Sequence, residues 1–133
     1  MLFPMSILRF LAVWVAMAVA MSMNGIAREL LLKRMLPPRV ADLLSALLGI
    51  GLIALITRQG FRGAWPDNTP FRQIFTVSMS LIVLTVAFET AMGRWVDHKS
   101  WTAIVEHYAI WRGELWLVVL LWLGLTPFVW RGR

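Results

Sequence analysis

Four runs almost free of charge recur along the chain, at residues 10–27, 40–57, 73–88 and 115–130, with Asp42 as the one ionisable interruption. Each is long enough, or nearly so, to cross about 30 Å of hydrocarbon as an α-helix. A soluble domain of 133 residues gathers its apolar residues into one core, whereas here 59% of residues are hydrophobic and 15% charged, with the charges confined to the ends of the runs. That pattern predicts an all-α integral membrane protein. A transmembrane β-barrel would need segments of roughly ten residues alternating apolar and polar side chains, and none is present.

The net charge of +6 does not point to nucleic acid, because the basic residues flank the apolar runs, where they anchor to lipid headgroups. The absence of cysteine excludes disulfides, thiolate catalysis and cysteine-ligated metals together. Arg9 followed by an apolar stretch and Ala18-Val19-Ala20 imitates a secretory signal, but the apolar run continues through Met23 and Gly25-Ile26-Ala27. An uncleaved first span is therefore expected.

The predicted architecture is a four-helix membrane bundle forming one domain over residues 1–133. Its spans fall at about 6–28, 41–57, 71–92 and 110–130, with an interfacial helix at about 100–108 between the last two. Pro37-Pro38 ends the first span, beyond an amphipathic extension through Leu30-Leu31-Leu32. Ala41, Ser45 and Gly49, spaced by four, give the second span a small face for close packing, and Ala12, Ala16 and Ala20 suggest the same for the first. Residues 58–70 read as a polar turn-rich loop. In the short helix Ser100 is the expected N-cap, and Trp101, Ile104, Val105 and Tyr108 form a stripe at helical spacing.

Ionised residues appear where the third span should still be apolar, in Ala87-Phe88-Glu89-Thr90-Ala91-Met92-Gly93-Arg94-Trp95. Sixteen residues lie between Arg72 and Glu89, about 25 Å of helix, so one of the two sits within the hydrocarbon or snorkels out of it. The same spacing separates Glu114 from Arg131. Asn24, Arg28 and Glu29 end the first span, and Ser78, Thr85, Glu89 and Gly93 share one face of the third. A charge in the bilayer costs at least a few kcal/mol unless compensated, so Arg28 is expected to pair with Glu89, and Glu114 with Arg94 or Arg112. Asn24, Arg28, Glu29, Glu89, Arg94, His107, Tyr108, Arg112 and Glu114 form the candidate polar cluster, which bracing of the helix ends alone would also explain. Trp95, Trp101, Tyr108, Trp111 and Trp116 form an aromatic girdle at that level, and Phe61, Trp65, Phe71, Phe128 and Trp130 form the opposite one.

Four spans place both termini on one side. That side carries six basic residues, Arg9, Arg58, Arg62, Arg72, Arg131 and Arg133, against Asp67 alone, while the other carries seven basic residues and six acids, so the count of basic residues does not decide orientation and the bare positive charge of the first side does. Cytoplasmic termini in a bacterial inner membrane are expected. No phosphate-binding loop, nucleophile elbow or HExxH motif is present, and His98 and His107 have no third ligand at metal spacing. No catalytic residue, metal or cofactor is predicted. The first span has Trp14 and alanines where small proton-driven multidrug carriers keep a glutamate, and the residue pattern of the four-span membrane glutathione transferases is missing.

Asn24-Gly25, Arg28-Glu29, Phe88-Glu89, Gly93, Trp101, Tyr108, Gly113, Leu115-Trp116 and Pro127 occur in an order that resembles a family of small bacterial membrane proteins with no assigned activity. The resemblance covers nearly the whole chain and implies a fold without a mechanism. It departs from the family at His107, Ala109 and Glu114, where an acid, an asparagine and an arginine are usual. The expected function is therefore a non-enzymatic membrane protein whose outer-leaflet cluster docks a lipid headgroup, a membrane-protein partner or another copy of itself. An oligomeric transporter using the cluster as a gate, and an enzyme acting on a lipid or quinone, are the alternatives.

Overall fold

The computed structural model describes residues 5–65, 68–109 and 115–130, and all regular structure among them is helical. Helix α1 spans Ile7–Met35, α2 Pro38–Gly60, α3 Phe71–Val96, α4 Trp101–Glu106 and α5 Trp116–Val129. The first three are long and apolar enough to cross a membrane, with mean hydropathies of 1.8, 2.2 and 1.8 in their most apolar windows. Helix α5 has 14 residues, about 21 Å, which is less than a full crossing. The expected fourth span began at residue 110, and residues 110–114 lie outside the described residues.

Local chemistry sets the helix ends. The Ser6 hydroxyl accepts from the Arg9 backbone N–H at 3.1 Å, and Pro38 opens α2 at a position where its missing N–H costs nothing. Ser100 caps α4 as expected, accepting from the Ala103 N–H at 3.1 Å. Helix α1 continues beyond residue 28 through the expected extension to Met35, with no breaker before Pro37. Residues 28–32 of α1 and 92–96 of α3 are wound as π-helix, so both widened turns fall where charge enters the apolar helices.

Helix α1 packs on α2, α2 on α5, and α5 on α3, while α3 meets α1 along a looser seam. The buried face of α2 is Ala41, Ser45, Gly49, Ile53 and Thr57, so the predicted four-residue ladder extends along the whole helix. The alanine ladder of α1 is corrected: Ala12 and Ala16 are exposed, and the packed residues are Phe10, Val13 and Met17. One small face per interface is enough. Because α2 supplies it, α1 supplies the projections, with Met21 against Gly49 and Val13 against Gly60. The outward surfaces carry exposed Leu8, Leu47, Leu55, Val83 and Leu121, as lipid contact requires.

Hydrogen bonds join these helices inside their apolar contacts. Asn24 Nδ2 donates to the Ser45 carbonyl at 2.9 Å, and Trp122 Nε1 to the Ile50 carbonyl at 3.0 Å. Trp130 Nε1 donates to Thr57 Oγ1 at 3.0 Å, and the Ser78 hydroxyl to the Gly124 carbonyl. Arg9 reaches the far end of α2, donating to the Gly60 carbonyl at 2.8 Å and to that of Arg62, which places a cation on a helix C-terminus. The stripe expected in α4 divides: Ile104 is buried against Gly93, while Trp101 and Val105 are exposed.

The α1–α2 crossing has little slack at Gly60, where an added Cβ would overlap Val13 Cγ2. Valine is stiff at χ1 and cannot swing aside. Gly60→Ala should lower the thermal unfolding midpoint in detergent, by the equivalent of about 1–3 kcal/mol. Adding Val13→Ala should restore part of the loss, and strictly additive losses would refute the close contact.

Candidate functional site

The residues expected to form one polar cluster separate into three groups. The first spans the connection between α1 and α2. Glu29 Oε1 is 3.0 Å from Lys33 Nζ and 3.5 Å from Arg28 Nε, and Arg28 Nε is 4.0 Å from Asp42 Oδ1. Arg28 Nε is buried within ion-pairing range but has no hydrogen-bond geometry to either acid. Glu29 and Asp42 are about half exposed, so these pairs give local compensation of charge and little stability. The expected Arg28–Glu89 pair does not form. A break of only residues 36–37 folds the first turn of α2 back on the end of α1, and Asp42 thereby reaches Arg28 first.

The second group is the elbow between α3 and α4. Arg94 donates to the Lys99 carbonyl at 3.2 Å and holds its guanidinium 5.3 Å from the centre of the Trp101 ring. The turn is fixed by Asp97 N–H to the Met92 carbonyl and Lys99 N–H to the Gly93 carbonyl, with His98 at a positive φ of 55°. Arg94 is thus engaged by its own elbow. The pairing expected between Arg94 or Arg112 and Glu114 falls on residues 112 and 114, which lie outside the described residues.

The third group lies inside the bundle. Glu89 is partly buried and lines a cavity between α1, α2, α3 and α5, whose wall also includes Trp14, Met21, Thr85, Phe88 and Trp116. The space open to the centres of water molecules is about 30 Å³, room for about two waters. Trp14 closes the lower edge: its Nε1 donates to Thr85 Oγ1 at 3.1 Å and its ring meets Phe88 edge-on, with centroids 5.5 Å apart. Lys99, Asp97 and Arg28 act on Glu89 electrostatically without an ion pair to it among the described residues. His107 stacks on Trp116 at 5.8 Å and 17°, and meets Tyr108 at 73°. The Tyr108 hydroxyl and the Trp116 indole N–H are buried without a hydrogen-bond partner among the described residues.

Of the expected residues, Asn24 belongs to the α1–α2 contact, Arg28 and Glu29 to the first group, Arg94 to the elbow, and Glu89, His107 and Tyr108 to the bundle mouth. The sequence pattern places Trp14 only in a span, Trp116 only in a girdle, and Asp42 only as an ionisable interruption of the second run. One signal for Trp14 was available: an indole N–H two turns inside a membrane helix needs an acceptor, and Thr85 on the polar face of α3 is one. The chain matches no protein-family model, no curated protein and no solved structure. The geometry alone therefore bears on function.

The split of the cluster has a thermodynamic consequence. In a double-mutant cycle followed by thermal unfolding, Arg28→Gln and Glu89→Gln should be additive within about 0.5 kcal/mol. Arg28→Gln with Asp42→Asn should show a coupling of about 0.2–1 kcal/mol. Strong coupling in the first cycle would mean that Arg28 leaves its acidic neighbours for Glu89.

Proposed function

We propose that the chain is a non-enzymatic, multi-pass four-helix protein of a bacterial inner membrane, and that the elbow between α3 and α4 docks anionic lipid headgroups. One observation carries this reading. Trp95, Val96, Trp101 and Val105 are 67%, 58%, 53% and 68% exposed, an unusual outlay of large apolar side chains on a short polar segment, and Arg94 and Lys99 stand beside them. Indole rings next to basic groups are what a lipid interface accommodates, with the rings at headgroup depth and the cations toward phosphate.

The charge distribution supports cytoplasmic termini. At the end bearing α4, Arg28 and Lys33 stand beside Glu29 and Asp42. At the other end, Arg58 lies 5.6 Å from the Trp130 ring and Arg9 lies on backbone carbonyls, and neither has an acidic partner among the described residues. The two sides carry six and seven basic residues, so this orientation rests on the difference in compensation by acids and not on the positive-inside count.

Lipid binding is measurable by native mass spectrometry after reconstitution with phosphatidylglycerol and transfer to mild detergent. Arg94→Gln and Lys99→Gln should each weaken phosphatidylglycerol retention by about 1 kcal/mol, roughly five-fold. Retention that ignores both substitutions would remove the elbow as the docking surface. For topology, a C-terminal green fluorescent protein fusion should fluoresce and a C-terminal alkaline phosphatase fusion should stay inactive; the reverse pattern would invert the orientation.

A further inference from the structure

Between the start of α1 and the first half of α3 a groove of about 550 Å³ opens sideways, lined by Ile7, Phe10 and Leu11 of α1 and by residues from Phe75 to Leu84 of α3. Its cause is the way each helix is anchored. At this level α1 is held to α2 by the bonds from Arg9 to the Gly60 and Arg62 carbonyls, and α3 is held to α5 by the Ser78 hydroxyl on the Gly124 carbonyl. Each is drawn toward its other neighbour, so the two splay apart. The α1 lining stops at Leu11, one turn before Trp14, whose bond to Thr85 joins the helices again.

Length selects what fills the groove. Leu84 lies nine residues beyond Phe75, a rise of about 14 Å, close to half of the roughly 30 Å hydrocarbon thickness. A helix of a second copy crosses the full thickness and would need an open face about twice as long. The acyl chain of one leaflet needs only this one. The lining side chains are apolar apart from Thr76 and Ser80, and the Thr76 hydroxyl is turned onto the Arg72 carbonyl at 2.8 Å. A hydrocarbon chain therefore strands few polar groups there.

The mouth selects the head. Arg72 is exposed and precedes Thr76 by one turn on the same face of α3. Side chains on a helix tilt toward its N-terminus, so the guanidinium extends away from the groove, toward the headgroups at the membrane face where α3 begins. Beside it Phe71, 63% exposed, stacks on Phe75 with ring centroids 5.9 Å apart. A guanidinium above an apolar trough matches a phosphodiester above a hydrocarbon chain. We propose that the groove binds an anionic phospholipid of that leaflet, with one acyl chain between α1 and α3 and its phosphate on Arg72. Arg72 and Arg94 lie twenty-two residues apart, about 33 Å of helix, so this site and the elbow belong to opposite leaflets and neither depends on the other.

The test uses the full chain carrying Arg94→Gln and Lys99→Gln, so that the elbow no longer contributes, reconstituted with phosphatidylglycerol, transferred to mild detergent and followed by native mass spectrometry. One retained phosphatidylglycerol per chain is expected, held better than phosphatidylethanolamine with the same acyl chains, whose ammonium compensates its own phosphate. In that background Arg72→Gln should weaken retention roughly five-fold, the worth of one basic group against an anionic lipid. Ser80→Phe, which puts a ring in the groove, should abolish it. Arg72 is exposed, so its variant carries the test should Ser80→Phe fail to fold. Glycerophosphoglycerol, the same head without chains, should not displace the lipid. Loss of all phosphatidylglycerol on the elbow substitutions alone, retention indifferent to Arg72→Gln or Ser80→Phe, or displacement by the chain-free head would overturn the assignment. A dimer that Ser80→Phe dissolves, found in place of a retained lipid, would give the groove to a second copy and overturn it as well.

Discussion

Hydrogen bonds between helices are the constraint on which the arrangement rests. Apolar side chains gain nothing from leaving lipid for one another, so in a chain with faces this uniformly apolar, association depends on close packing and on polar groups that find partners only across a helix contact. Every packed pair has at least one such bond: Asn24 to Ser45, Trp122 to Ile50, Trp130 to Thr57, Ser78 to Gly124 and Trp14 to Thr85. Each contributes about 0.6 kcal/mol by the average for such bonds, and their larger effect is to fix register. The same rule holds within α5. Pro127 cannot donate to the Leu123 carbonyl one turn earlier, and the Thr126 hydroxyl does so instead at 2.8 Å.

These contacts are unevenly distributed. The α1–α2 and α3–α5 pairs close tightly because glycines at 49, 60 and 124 let side chains from the neighbouring helix approach the backbone. The α1–α3 seam has no glycine of this kind. It is held by the Trp14–Thr85 bond and the Trp14–Phe88 ring contact, beside the cavity that Glu89 lines. Few contacts and a single polar latch mark the part of a structure that opens most readily.

How much of this was legible in the sequence depended on whether a residue's role is local. Helix existence, the Ser100 cap, the stop at Pro37 and the Ala41–Ser45–Gly49 face follow from neighbours in the chain. The alanines of α1 misled because alanine is as content against lipid as against protein; only the glycines of α2 decide that Val13 and Met21 face inward. The polar cluster was misjudged for a related reason. Shared depth puts Arg28 and Glu89 on one level but does not say which helices are adjacent on that level. The short break between α1 and α2 did hold that information, since so brief a connection makes its helices neighbours and brings Asp42 to Arg28.

That local pairing also accounts for the character of Glu89. Had Arg28 crossed to it, the carboxylate would be the buried half of an ion pair, and the cavity beside it a packing remnant. The α1–α2 connection keeps Arg28, the expected partner of Glu89, with Glu29 and Asp42, and the α3–α4 elbow keeps Arg94 on Trp101. Glu89 is left facing a small aromatic-walled space, influenced from a distance by Lys99, Asp97 and Arg28 but bonded to none of them. A carboxylate at that depth persists at a cost of at least a few kcal/mol when nothing compensates it. Among the described residues no cation forms that compensating ion pair.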